Sequence, residues 1–477
     1  MSAEPARPET LAVWKPVVFG ALAGGMGWGI RGQYGHETGA MIAGLLLGLT
    51  LVLLACPRAP AFPALRAVAW CAIAIGFGGS MTYGQTVGLT HDPALVGNWA
   101  ALRWGLLGLA LKGALWIGFA GLFLGMGLGG VRYRTSEIAL VLTSMLGLCL
   151  LGLLTLNRPF DPAHHILPRF YFSADWRFRP GAELKPRPEV WGAYLFAFLG
   201  LLGYCARIRG DKLARNLGLW AALGGALGFP LGQCLQAYHA WNLPDFAQGW
   251  PARLDAVMNW WNWMETTFGA VMGGTLGLGL WLNRHRIRPD LNALPEPLAY
   301  PLELCLLTLH TVLLVAVEFG SLWFVDRIYD FGLLLGFLPI LLVTAGRISP
   351  YAFLLPLVAL PIAGKTVRNL VHEEHLITPV AGWMILLVLP LAVATLRVAR
   401  LRRQLTTQPR SAAEILGPAL LLATWLFWAL NFAFFRAPWP WNPWTVRTPN
   451  ALAFTACALG LTGIAIAARR SAAVHRT

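Results

Sequence analysis

The sequence predicts an all-α polytopic integral membrane protein. Three observations carry this. Of the 477 residues, 57% are hydrophobic and only 12% are charged, about half the charge of an ordinary soluble chain. Apolar stretches of about 20 residues recur along the whole length, which is what a helix needs to cross a hydrocarbon core. The short alternating segments of a membrane β-barrel do not occur. No stretch is long and polar enough to form a separate soluble domain.

A polar tail over residues 1–16 comes first. Apolar periodicity then places helices near 17–31, 38–56, 64–84, 105–130, 137–156, 190–206, 216–238, 265–283, 302–325, 330–346, 350–366, 377–396, 414–435 and 450–468. That is about fourteen transmembrane helices. Residues 17–283 form one membrane region and 284–468 a second, and 469–477 is a terminal tail. The longest polar connection is 157–189, rich in Pro, Arg, His and aromatics, which reads either as a lid or as a connector. The N-terminus lacks a clear signal-peptide cleavage site.

The first region carries an internal pattern. Gly24 is followed eight residues later by Gly32-Gln33, Gly76 by Gly84-Gln85, and Gly224 by Gly232-Gln233. Each glutamine is followed downstream by Gly-Ala-x-x-x-Gly, at 39–44, 113–118 and 269–274. The shared order and spacing predict three parallel glycine-rich helical hairpins in the first 283 residues, over 17–56, 64–130 and 216–283. The second and third hairpins carry insertions that resemble each other. Gln85 precedes His91, and Gln233 precedes His239, by the same six residues; Asp92 leads to Asn98-Trp99, and Asp255 to Asn259-Trp260. These insertions are too short for further spans and predict interfacial or re-entrant helices.

The formal net charge of +15 does not point to nucleic acid, because the basic residues lie in short loops between apolar runs. They concentrate on one set of alternating loops, including Arg58, Arg132, Arg134, Arg284, Arg286 and Arg288. The expected topology therefore has both termini cytoplasmic, in a bacterial inner membrane, with all three Gln turns on the outer face. The seven cysteines are scattered through apolar runs without paired spacing and read as small buried hydrophobes.

Polar groups at membrane depth are candidate functional residues. Lys112 sits well inside the apolar run LGLALKGALWIGF and needs an acid partner, for which Glu265 and Glu318 are candidates. Arg31, Gln33, His36 and Glu37 form the densest polar cluster, in a glycine-rich turn where Arg offers a fork for a carboxylate or phosphate. Gln33, Gln85 and Gln233 offer three amides for a polar solute; helix-to-helix hydrogen bonding is the plainer reading. His36, His91 and His239 read as interfacial residues rather than metal ligands, and no metal or cofactor is expected. The 22 tryptophans read mainly as an interfacial belt.

Two function classes follow. One is a transporter or channel for a small polar or anionic solute. It would use Arg31, Gln33, His36, Glu37, Gln85, His91, Asp92, Lys112, Gln233, His239, Glu265 and Glu318. The other is a membrane-embedded transferase or hydrolase acting on a lipid-linked or glycan substrate, with Glu37, Asp92 and Glu265 as acid and base groups and Arg31 as the clamp. The expected partners are the lipid bilayer and the solute, with no nucleic acid.

Overall fold

The computed structural model describes residues 11–474, apart from 33, 35, 36, 80, 82, 295, 321, 326–335, 346, 347, 435–443 and 445; the side chains of Glu37 and Glu318 also lie outside the described set. Among the described residues the architecture is all-α, and eleven helices are long and apolar enough to cross a membrane. This is the build of a multi-pass membrane protein. Two more helices, α1 (Trp14–Arg31) and α10 (Trp260–Leu282), have 18 and 23 residues but fall outside the eleven. Both are rich in Gly and Trp, and they carry Arg31 and Glu265. They lie against each other along their length, so protein rather than lipid surrounds much of their surface. The expected span near 330–346 is described only as the short α12 (Leu338–Ala345).

Six helices of the first region close into a ring. In order they are α1, α2 (Glu37–Ala55), α3 (Ala61–Gly78), α5 (Trp99–Leu128), α8 (Lys212–Trp241) and α10, and α10 returns to pack on α1. Small residues let the backbones approach. A side chain at Gly24 would collide with the Gly269 carbonyl, and one at Gly113 with the Gly225 carbonyl. This is how membrane helices associate without a hydrophobic driving force between them. Gly274 is different: a Cβ there would meet its nearest neighbour, the Val17 carbonyl oxygen, at an ordinary 3.4 Å.

The middle of the ring is filled by aromatic side chains. Trp28 of α1 meets Trp116 of α5, across the ring, with ring centroids 4.9 Å apart. Trp28 also packs edge-on against Phe268 of α10, which stacks on Phe229 of α8. All four are buried. Offset and edge-to-face contacts of this kind add to the stabilisation from burial alone.

The segments expected as second and third hairpins differ at the end of their first helix. α8 runs unbroken through Pro230 to Trp241. α3 stops at Gly78, and the chain restarts as the short α4 (Gly84–His91), which lies against α5 and α8. Both insertions then end in the same way. Asn98 caps α5 by accepting from the Ala101 amide at 3.0 Å, and Asn259 caps α10 by accepting from the Asn262 amide at 3.0 Å. The insertion between α8 and α10 holds the short α9 (Gly249–Asp255).

The remaining helices surround the ring. α6 (Thr135–Leu156) and α7 (Trp191–Gly203) form a hairpin whose α7 meets α5. α13 (Ile348–Val367), with internal Pro356 and Pro361, packs on α2 and α3 and on α11 (Tyr300–Phe319) and α14 (Leu389–Thr407). α15 (Ala412–Phe434) and α16 (Thr448–Val474) pair with each other and close over α1, α2 and α3.

Candidate functional site: two buried ion pairs around a short helix

Arg31 is the last residue of α1, and Glu265 lies in the second turn of α10. Their side chains meet in the interior, with Nη1 2.8 Å from Oε1 and exposures of 2% and 1%. The same Nη1 donates to the Tyr83 hydroxyl at 2.9 Å, and Trp261 Nε1 donates to Glu265 Oε1 at 3.2 Å. The guanidinium carbon lies 5.2, 5.3 and 4.8 Å from the rings of Trp28, Tyr83 and Trp116. A buried cation needs this kind of compensation, from a paired acid and from π-faces in a desolvated pocket. Gly32 follows Arg31 because a Cβ there would overlap Glu265 Oε2.

Lys112 is buried, and its partner is Glu189, not Glu265 or Glu318. Nζ donates to Glu189 Oε1 and to Thr86 Oγ1, both at 2.7 Å. Glu189 also accepts from the Ser173 hydroxyl at 2.8 Å and from the Phe172 amide at 2.9 Å. The polar connection before α7 is therefore threaded inward: Tyr171, Ser173, Asp175 and Glu189 are all buried. Gln85 ties it down, donating to the Lys185 carbonyl at 3.2 Å and accepting from the Arg187 amide at 3.1 Å. The Tyr171 hydroxyl donates to the Arg187 carbonyl at 2.9 Å, and burial holds its phenol pKa above the ordinary value.

The short α4 joins these pairs. Tyr83, just before it, reaches Arg31; Thr86 reaches Lys112; and Thr90, one turn on, accepts from Gln233 Nε2 at 2.7 Å. Trp241 at the end of α8 donates to the Thr90 carbonyl at 2.9 Å. Three polar centres from four other elements thus converge on one eight-residue helix and the residue before it.

Buried acceptor oxygens gather on one side of the site. Glu265 Oε2, Gln233 Oε1, Gln236 Oε1 and Asn262 Oδ1 are buried acceptors without hydrogen-bond partners. All four lie on the facing α8 and α10. Each such group costs about 1–3 kcal/mol when left unsatisfied, so a donor-bearing guest would find four acceptors ready.

Of the sequence-derived candidates, Arg31, Glu265, Lys112 and Gln233 take part in this arrangement. Gln85 faces the polar connection instead of Gln233. His91 hydrogen-bonds the Val87 carbonyl of its own helix and meets Trp261 edge-on. His239 lies 2.8 Å from Asp255 and stacks on Trp260. Asp92 follows α4, its amide closing that helix on the Gly88 carbonyl. Gln33 and His36, and the side chains of Glu37 and Glu318, lie outside the described residues. The sequence reading missed Tyr83, Thr86, Thr90 and Glu189. Three of these carry no charge, and Glu189 stands where a polar connection meets an apolar run, which reads as a surface position.

No protein-family model, curated protein or solved structure matches the chain. Fold and site define the class: an all-α multi-pass membrane protein with a charged and hydrogen-bonding centre inside a helical ring.

Proposed function

We propose that the protein is a transporter for a small polar solute, bound where α4 meets α8 and α10. The observation that carries this is the interruption between α3 and α4, which sets Tyr83, Thr86 and Thr90 against three buried polar side chains. Broken helices that offer polar groups inside a bundle are a recurring way of building a solute site in a membrane. The three-hairpin reading fits this picture. α3 and α4 together correspond to α8, the two asparagine caps correspond, and the six hairpin helices close a ring.

Charge balance favours a neutral polar solute or a cationic donor over an anion. Arg31 is already matched by Glu265 and Lys112 by Glu189, and Glu265, Gln233, Gln236 and Asn262 each hold an acceptor oxygen without a partner. An anion would have to displace an internal carboxylate from its cation. In proteoliposomes, uptake of labelled urea, formamide, glycerol and methylammonium should exceed that of acetate or phosphate. Glu265→Gln should reduce uptake of the preferred solute by at least about tenfold, the effect of losing one charge-assisted hydrogen bond. Uptake equal to empty liposomes for all these solutes would defeat the reading.

A second reading is an enzyme with a site open to one face only. The specific observation in its favour is the aromatic filling of the ring, where Trp28 meets Trp116. A transporter must part these rings during its cycle, whereas an enzyme need not. Turnover of a lipid-linked or glycan substrate by protein in detergent micelles, where no gradient exists, would favour this second reading.

A further inference from the structure

A separate cavity lies far along the chain from the ion pairs, between α11, α13 and α14. Its volume is about 510 Å³, and its walls include Leu307, Leu357, Leu360 and Leu391. One polar group stands out among them. Glu303, in the first turn of α11, is 1% exposed, and neither carboxylate oxygen has a hydrogen-bond partner. An acid this buried is normally paired or hydrogen-bonded. Arg402 of α14 lines the same cavity. Tyr300 and Leu304, also in the lining, are about half exposed, at 51% and 50%, so the space is open on the α11 side.

We propose that this cavity binds one phospholipid with a primary-ammonium head group, the ammonium on Glu303, the phosphate toward Arg402 and an acyl chain along the leucines. Each part of the ligand answers an observation. Two unmatched carboxylate oxygens call for a cation with several N–H donors. A guanidinium in the same wall suits a phosphate. An apolar space of this size takes a drug-sized portion of a ligand, and an opening on a helix otherwise facing lipid admits it sideways from the bilayer. Glu303 lies in the first turn of α11, and α11 is one of the helices suited to span the membrane, so the polar end of the cavity sits toward a membrane surface.

The test uses the full-length protein, purified in detergent and stripped of lipid. Phosphatidylethanolamine, phosphatidylcholine and phosphatidylglycerol with identical acyl chains are titrated in mixed micelles, read by thermal shift and by native mass spectrometry. Phosphatidylethanolamine should bind at least about tenfold more tightly than the other two, one lacking N–H donors on its head group and the other lacking the cation. Glu303→Gln should erase that preference. Leu360→Trp, which fills the body of the cavity and leaves Glu303 in place, should weaken all binding; it serves as the second variant if Glu303→Gln does not fold. Equal binding of the three lipids, an unchanged preference in Glu303→Gln, or tight binding retained in Leu360→Trp would each overturn the proposal. So would stabilisation by octylammonium with none by phosphatidylethanolamine, which would assign the site to a soluble amine.

Discussion

At the scale of single residues, the chain's interior is governed by charge matching. Lys112→Met should destabilise the protein by about 3–5 kcal/mol, because Glu189 is left buried without its cation. The double variant Lys112→Met/Glu189→Gln should recover much of that loss, since the pair and not either charge is what the interior tolerates. Thermal unfolding in detergent checks both, and a stable single variant would show that the pair is dispensable. Asp211 gives a test of opposite character. It caps α8, accepting from the Ala214 amide at 2.9 Å and the Tyr133 hydroxyl at 2.8 Å. Burial raises its pKa above the ordinary 3.8. A raised folded pKa means that the folded state favours the proton. That contribution is complete below the unfolded pKa and is lost as pH rises through the folded one. Asp211→Asn keeps an accepting oxygen and removes the charge. Its stability relative to wild type should therefore improve between acid and neutral pH, and a difference independent of pH would contradict the sign. The sequence marked Lys112 as a residue that needs an acid, with Glu265 and Glu318 as candidates, and Arg31 as a fork for an anion. It did not pair Lys112 with Glu189 or Arg31 with Glu265, because these acids stand 77 and 234 positions away, and spacing along a chain carries no signal over such distances.

At the scale of elements, glycine and asparagine set the geometry. Gly113→Leu drives a side chain into the α8 backbone at Gly225, and Gly24→Leu drives one into α10 at Gly269. Both should lower folded yield sharply. Gly274→Leu should cost less, because only ordinary contacts surround that position. Fluorescence-detected gel filtration would rank the three, and equal yields would remove close helix approach as the reason for the glycines. Asn98→Ala and Asn259→Ala should each cost about 1 kcal/mol as lost caps. The helices themselves were legible as apolar runs, but the two caps were not: the Asn-Trp pairs read only as a likeness between the insertions, and apolar periodicity starts the helices near 105 and 265 where they begin at Trp99 and Trp260. The interruption between the end of α3 at Gly78 and the start of α4 at Gly84 was not legible either. GGSMTYG lacks proline and charge, so hydropathy carries the apolar run straight across it and merges the start of α4 into α3. The depth of the connection before α7 was hidden for the reverse reason: polar composition reads as surface unless a buried lysine is known to be waiting for its last residue.

At the scale of the whole molecule, three parallel hairpins would bring their turns to one side of the membrane. Single cysteines at Pro93 and Pro244, both exposed, should react with a membrane-impermeant thiol reagent from the same side of sealed vesicles, in a background where the native cysteines have been replaced. Labelling from opposite sides would break the parallel hairpin reading. The closure of the ring also bears on how the protein is made. Of the ring helices, α1 leaves the ribosome first, and its main partner, α10, leaves last. At about 5–20 residues per second, roughly 10 to 50 seconds of synthesis separate Arg31 from Glu265. Throughout that interval a glycine-lined helix with an unmatched guanidinium at its end must wait in or beside the bilayer. The insertion machinery therefore has a client that it cannot release early, and a chain truncated before residue 260 should remain cross-linkable to that machinery where the full-length chain does not.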